Sequence, residues 1–440
     1  MSNKQDKVSN LHPDYAALQQ MREIVQTVHG GTVKMRRAGA KMLPKFPEEL
    51  QSSYKERLAA ATLLNLYKSN LNLMSGLVFK DEIEFKPDVP AQIKALAENI
   101  DKRGNHLNVF AETAFKKSFD GFCVIQIDAP VWDSKTIKSQ EDFDALDLAP
   151  YWILWDADSV INWSERVNPV SKRTEIDLLV FKEIKFERVG NFGREKVVYY
   201  RVLYLDEANR AAWQLHKEQK NEQTGAKEII EIGRGVITIM KSGQKTFLDH
   251  LPLAVIGKLG DEPPMLDLAL VNIKHYQKEN NFDNLEFQAA VPLFYTKGYD
   301  GADNLPVGAD MHYKLPLEGE VGWAQLDASG FESMRESIKM LETQMSMIGL
   351  SMLTDKTAKV DITATQAILD NISETSELRV RATNGKDGIE RAMQITAEYL
   401  GLGRDAGGSI ELGTAWKAVK MAADGEMQEG KKDEKVNKEI

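Results

Sequence analysis

Cysteine is nearly absent from this chain: one residue, Cys123, serves 440 positions. No intrachain disulfide framework exists, and clusters of thiolate metal ligands are excluded. Cys123 sits in the alternating run Gly121-Phe-Cys-Val-Ile-Gln-Ile with nothing basic beside it, and reads as a small apolar side chain in a strand. Long apolar runs are missing too. None approaches the ~20 residues a membrane helix needs, and the polar start Met1-Ser-Asn-Lys-Gln-Asp-Lys holds no signal-peptide core. The expectation is a protein made and kept in a cytoplasm, with no membrane partner. Positive charge is also in deficit, with a formal net charge of −10. A protein that grips nucleic acid is basic over its binding face, so simple DNA binding is excluded. Surrounding DNA without holding it is not.

Catalytic signatures are lacking as well. There is no G-x-x-x-x-G-K-[ST] phosphate loop, no H-E-x-x-H and no G-x-S-x-G elbow, and the seven histidines are scattered. The pairs Asp156/Asp158 and Asp300/Asp303 offer metal-ligand chemistry, but acidic pairs in turns are usually solvated turn formers. Gly401-Leu-Gly-Arg-Asp-Ala-Gly-Gly follows a helix, the wrong side for a phosphate cradle, and reads as a helix stop. No catalytic residue, metal or cofactor is assigned, and an enzyme is not expected.

What is present is ordinary globular composition, 42% hydrophobic and 28% charged, with length for two or three domains. The period is helical over Tyr15–Val28, about 48–78 and Ala91–Phe119, with a basic patch at Lys34, Arg36, Arg37 and Lys41 between the first two. From Gly121 it turns alternating, through Val124-Ile-Gln-Ile, Tyr151-Trp-Ile-Leu-Trp, Asp177-Leu-Leu-Val-Phe, Val197–Leu205, Trp213-Gln-Leu and Gly235-Val-Ile-Thr-Ile. That spacing predicts an antiparallel β meander over 121–259. No repeat of fixed period appears.

The stretch from Gly260 to Leu402 is the most organised. Pro263-Pro264 opens a helix striped by Leu266, Leu270, Ile273 and Tyr276, running to about Ala290. A Gly- and Pro-rich excursion follows, with strand-like pieces at Leu293–Thr296 and Met311–Leu315. Ser329 and Glu332 have capping-box spacing. Phe331, Met334, Ile338, Leu341, Met345 and Ile348 then form a strict a/d seam. Spacing alone does not choose between an ordinary core helix and a seam between subunits. After a Met- and Lys-containing loop, a third helix runs towards Leu400, where Asn384-Gly385 and Gly388 predict a kink. A short helix candidate at Ser409–Ala423 and a charged tail close the chain.

This order resembles the portal protein of tailed double-stranded DNA bacteriophages. The likeness rests on Leu11-His-Pro-Asp-Tyr, on Pro264-Met-Leu-Asp-Leu-Ala-Leu-Val-Asn-Ile-Lys-His-Tyr and on Ala289-Ala-Val-Pro-Leu-Phe-Tyr-Thr-Lys-Gly. It also rests on Gln344-Met-Ser-Met-Ile-Gly-Leu-Ser-Met-Leu and Thr363-Ala-Thr-Gln-Ala. No one motif is diagnostic; their sequence is. The resemblance implies an α+β portal architecture. Its parts are a helical wing part over 1–120, a β-rich wing over 121–262, stem helices over 263–290 and 329–350, a β clip over 291–328, a tunnel loop over 351–362, a long kinked helix over 363–402 and a short crown with tail over 403–440. It implies a ring, typically of twelve subunits, at one capsid vertex of the virion, assembled in the host cytoplasm. Double-stranded DNA would pass through its channel during packaging and ejection. The implied partners are the terminase large subunit, the major capsid protein and a head-completion or adaptor protein. The seam residues would pack the stem, Tyr299, Asp300 and Asp303 would meet the terminase or adaptor, and Met352, Leu353, Lys356 and Lys359 would face the DNA. Along the first stem helix Asp267, Glu279, Asp283 and Glu286 stand against Lys274 and Lys278, an acidic wall suited to sliding because few phosphate contacts would stall passage. The alternatives are a head or tail adaptor without a channel, and an enzyme with an unrecognised carboxylate site. The residues after Leu402 are fewer than the crown of many portals.

Overall fold

The alternating run that starts at Gly121 folds as antiparallel sheet in the computed structural model. It describes residues 7–130, 148–168, 172–220, 226–241, 244–291, 293–298, 315, 317–324, 330–351 and 377–413. The chain is mixed α+β. Its helices are α1 (Tyr15–His29), α2 (Gly31–Ala38), α3 (Gln51–Ala60), α4 (Leu66–Val78), α5 (Ala91–Leu96), α6 (Leu107–Ser118), α7 (Leu266–Ala290), α8 (Phe331–Ser351) and α9 (Glu377–Tyr399). Its strands are β1 (Glu84–Phe85), β2 (Cys123–Asp128), β3 (Tyr151–Asp156), β4 (Val160–Val167), β5 (Thr174–Val189), β6 (Gly193–Leu205), β7 (Ala211–Lys220), β8 (Lys227–Val236), β9 (Thr238–Lys241), β10 (Gln244–Phe247), β11 (Leu253–Ile256), β12 (Leu293–Lys297), β13 (Glu320–Ala324) and β14 (Ile410–Glu411). Two compact units emerge, one from Met1–Gln26, Tyr67–Asp267 and Ile348–Ile440, the other from Thr27–Leu66 and Leu268–Met347. No helix among the described residues is long and apolar enough to cross a membrane.

The first unit holds the meander, ordered β4-β5-β6-β7-β8, and a three-stranded sheet ordered β11-β2-β3. Its core is aromatic: Trp155 stacks on Phe181 at 4.5 Å, and Trp163 meets His12 at 3.8 Å and Phe122 edge-on at 6.2 Å. Trp213 lies across Gly235, its cross-strand partner, whose missing Cβ makes room for the indole. β4 and β8 were not legible as strands, since β4 carries Ser164, Glu165 and Arg166 in succession and β8 interleaves glycine and charge. Cys123 is fully buried and its thiol donates to the Ala114 carbonyl at 3.2 Å, as its strand setting suggested. Burial raises its pKa far above the ordinary value.

Residues 91–119 make two helices, α5 and α6, instead of one. Between them Lys102 and Gly104 take positive φ, and Asp101 accepts from the amides of Arg103 and Asn105 to build a turn. α9 is one continuous helix through Asn384, Gly385 and Gly388, where the sequence placed a kink; residues 352–376 lie outside the described ones. Gly388 serves close packing. A Cβ on Gly388 would come within 2.5 Å of Ile256, and both glycines are buried. The start of the Ser409–Ala423 helix candidate is corrected. Ile410 and Glu411 pair with β1, and Ile410 and Leu412 are buried with the alternation of a strand.

A buried polar network pins α1 inside this unit. Arg22 is fully buried and donates to the carbonyls of Asp120 (3.2 Å) and Ala157 (3.1 Å). Gln26 donates to the carboxylates of Asp120 and Asp158 at 3.1 and 2.7 Å. Burial pushes the Asp120 carboxyl up to about 6, against the opposing pull of Gln26 and Lys117. The folded protein therefore holds a proton there that the unfolded chain has released, and stability falls as pH rises from the ordinary aspartate value towards 6. Asp120→Asn should raise stability by about 2 kcal/mol at pH 7 and leave it unchanged near pH 3. Thermal melts of both proteins across that range check the sign.

The single helix expected over 48–78 is two, α3 in the second unit and α4 almost wholly in the first, with Ala61 leaving the helix at ψ 132°. The backbone of 61–65 is satisfied by side chains instead of by helix bonds. Arg36 donates to the Ala61 carbonyl, Thr32 and Asn280 accept from the Leu63 and Thr62 amides, and Asn272 donates to the Leu64 carbonyl. Those partners lie on α2, or more than 200 positions away on α7, which is why local periodicity missed the break.

Candidate functional site

α7 is 25 residues long, roughly 38 Å at 1.5 Å per residue, and its paired partner α8 has 21. They run antiparallel. Phe282 meets Phe331 edge-on at 5.6 Å, Lys278 bonds Ser337, Arg335 pairs with Glu286, and His275 Nε2 lies 3.3 Å from Glu342 Oε1. The same antiparallel sense continues beyond the helices into a ribbon, in which Leu293 to Lys297 pair with Ala324 to Glu320. Tyr295 crosses to Gly322, where any Cβ would stand 2.8 Å from its hydroxyl, and Phe294 meets Trp323 at 5.2 Å. The sequence placed the second strand at Met311–Leu315. Residues 311–314 lie outside the described ones, and the strand that pairs is Glu320–Ala324, obscured by its central glycine.

The buried face of α7 differs from the expected stripe. Leu270 is 45% exposed, whereas Asn272, His275, Tyr276 and Asn280 are buried. Polar residues turn inward here because the open backbone of 61–65 and the Met42 carbonyl need donors and acceptors, which Asn272, Gln277 and Asn280 supply. On α8 the expected seam is the least exposed face. Ile338, Leu341 and Met345 are buried, and Phe331, Met334 and Ile348 are partly buried. That burial is reached within a single chain, so the middle of the seam is not the surface left for a neighbour. The large apolar side chains that remain outside include Met340 (61%) and Met347 (56%) on α8, Leu270 and Phe287 (71%) on α7, and Trp323 (56%) on the ribbon.

Electrostatically the outer half of α7 is acidic. Glu279, Asp283 and Glu286 follow at i, i+4 and i+7, one helical face. Partial desolvation raises the Glu279 and Asp283 carboxyls although Asp283 is exposed, and the neighbouring Glu286 charge adds to both; the nearby His275 only partly offsets this for Glu279. Tyr299, Asp300 and Asp303, assigned to partner contact, lie outside the described residues. So do Met352, Leu353, Lys356 and Lys359 of the expected DNA-facing loop.

Residues 264–400 match a family model described as a domain of unknown function, DUF4055. That span holds the helix pair, the ribbon and α9. No curated protein matches the chain. Among solved structures it is similar to a chain described as the neck of an empty GTA particle computed with C6 symmetry. The identity is 14%, 79% of each chain is covered, and the TM-score is 0.35.

Of the two acidic pairs the sequence offered, Asp300/Asp303 lies outside the described residues and Asp156/Asp158 is engaged within the chain. Asp156 is bound by Lys117 (3.1 Å) and by Ser159, and Asp158 by Gln26. A cavity of about 270 Å³ opens beside the outer edge of β3, and its polar lining includes Asp101, Arg103 and Asn105. The Asp101 carboxylate is occupied there by the amides of Arg103 and Asn105. Among the described residues no group of three or more His, Cys, Asp or Glu is placed to hold a metal ion.

Proposed function

We propose that this chain is the structural subunit of a head–tail connector of the portal type in a tailed bacteriophage. It would form a ring through which double-stranded DNA is packaged by the terminase and later ejected. The observation that carries this reading is the helix pair capped by a ribbon. Its internal seam is already filled, yet Leu270, Phe287, Met340, Met347 and Trp323 stay exposed. Apolar surface of that kind favours association with further copies, and copies joined through two different surfaces form a ring when the rotation between them closes. The motif order from Leu11 to Thr363 supports the portal assignment. On this reading the ribbon and residues 291–328 meet the terminase large subunit and later the adaptor protein. The ring sits at a capsid vertex among copies of the major capsid protein.

The loop over 351–362 faces the channel in this proposal, and Lys356 and Lys359 make weak, salt-sensitive phosphate contacts. Lys356→Glu combined with Lys359→Glu should leave rings intact but change DNA retention or translocation, with an effect that shrinks at high salt. Wild-type behaviour at low and high salt would place the loop elsewhere. The reading as a whole is tested by negative-stain images of the purified chain. Closed rings with a central opening wide enough for duplex DNA support it, and compact particles without an opening favour a plain adaptor.

A further inference from the structure

α2 and the outer half of α7 carry opposite charge on faces that their own chain leaves open. α2 buries only Met35. Val33 is 60% exposed, and Lys34 and Arg37 beside it are exposed on the same face, while Arg36 turns away to bond the carbonyls of Ala60 and Ala61. Among the described residues neither Lys34 nor Arg37 pairs with a carboxylate. On α7, Asp283 is exposed and makes no ion pair among the described residues, and Glu279 has only His275, at 3.9 Å. Phe287 stands 71% exposed four positions beyond Asp283. Each face therefore offers one large apolar side chain beside charges of a single sign. Both belong to the second unit, so every copy carries the two faces together.

We propose that α2 of one copy docks on the outer half of α7 of the next, with Lys34 and Arg37 against Glu279 and Asp283 and Val33 against Phe287. The inference rests on the ring reading above and names its contact. The two faces differ, so the contact is head-to-tail, the kind that generates a ring when its rotation closes. Burial of Val33 and Phe287 supplies the apolar part, and the charges set register and reject a like-facing arrangement. Glu286 is left to its pairing with Arg335 in the same chain.

The test uses two charge-reversed variants of the full chain. One carries Lys34→Asp and Arg37→Asp, the other Glu279→Lys and Asp283→Lys. Sedimentation velocity near physiological salt reads assembly, and thermal melts read folding. Each variant alone should sediment as a monomer, since like charges then face each other. Mixed in equal amounts they should recover wild-type assemblies, because every contact in an alternating ring regains opposite charge. Assembly of either variant alone, or failure of the mixture to assemble, overturns the pairing. A wild type that never assembles overturns the ring reading instead. Should a reversal unfold the chain, Arg37→Gln with Asp283→Asn serves. Wild-type assembly should weaken at least about tenfold between low and ~0.5 M salt, and this neutral pair should lose most of that dependence. A neutral pair with the wild-type salt response would count against the contact.

Discussion

Arg57→Ala is expected to cost about 3–5 kcal/mol of stability in the second unit, the range for removing one partner of a buried ion pair. Arg57 is 5% exposed. It donates Nε and Nη2 to the two Glu49 oxygens at 2.8 Å each, Nη2 to the Pro44 carbonyl at 2.9 Å and Nη1 to Asn281 Oδ1 at 3.0 Å. Its guanidinium also lies over the Phe46 ring at 4.3 Å. Removal strands a carboxylate, a carbonyl and an amide oxygen together. Lysine cannot replace the planar fork, so Arg57→Lys should recover only part of the loss. A second readout separates this from simple loss of packing. The Arg57 hydrogen bond holds the Glu49 carboxyl below the usual carboxylate range. The wild type should lose this contribution as pH falls through that range, and Arg57→Ala should lose that sensitivity. Chemical denaturation of both proteins at pH 7 and pH 3 measures it; equal pH sensitivity would contradict the account.

The second large effect is expected on α8. Ile338→Asp or Leu341→Asp places an unpartnered carboxylate where the single chain is already closed, costing about 4 kcal/mol or more. The subunit itself should melt early, before assembly is considered. Met340→Asp and Met347→Asp should behave in the opposite way. Both positions are exposed in one chain, so the melt should move by no more than about 0.5 kcal/mol, while assembly weakens because apolar contact between copies is lost. Normal assembly by Met340→Asp with Met347→Asp would remove these side chains from any contact between copies. A wild-type melt for Ile338→Asp would show that the seam is not closed within the chain.

Much of this architecture could be read in advance where signals are local. The a/d seam of α8 appears as its least exposed face, α7 ends where Ala290 precedes Val291-Pro292, and β2, β3, β5, β6 and β7 lie where alternation placed them. What escaped depended on distant partners. The break at 61–65 needs Asn272 and Asn280, the inward polar face of α7 needs that open backbone in turn, and β14 needs Glu84 and Phe85. The close approach of Gly388 to Ile256 is likewise invisible in sequence, because a glycine's neighbours are set by the fold. The candidate surface was half legible. The acidic positions on α7 were read from the chain, but the exposure of Met340, Met347 and Phe287, and the open basic face of α2, required the fold.

The most direct measurement is a native mass spectrum of the purified full chain. The account predicts one dominant closed species, an integer multiple of the 49.5 kDa subunit with many copies and no ladder of intermediates, since a head-to-tail ring is stable only when closed. A spectrum holding only monomer and dimer at every protein concentration would contradict it.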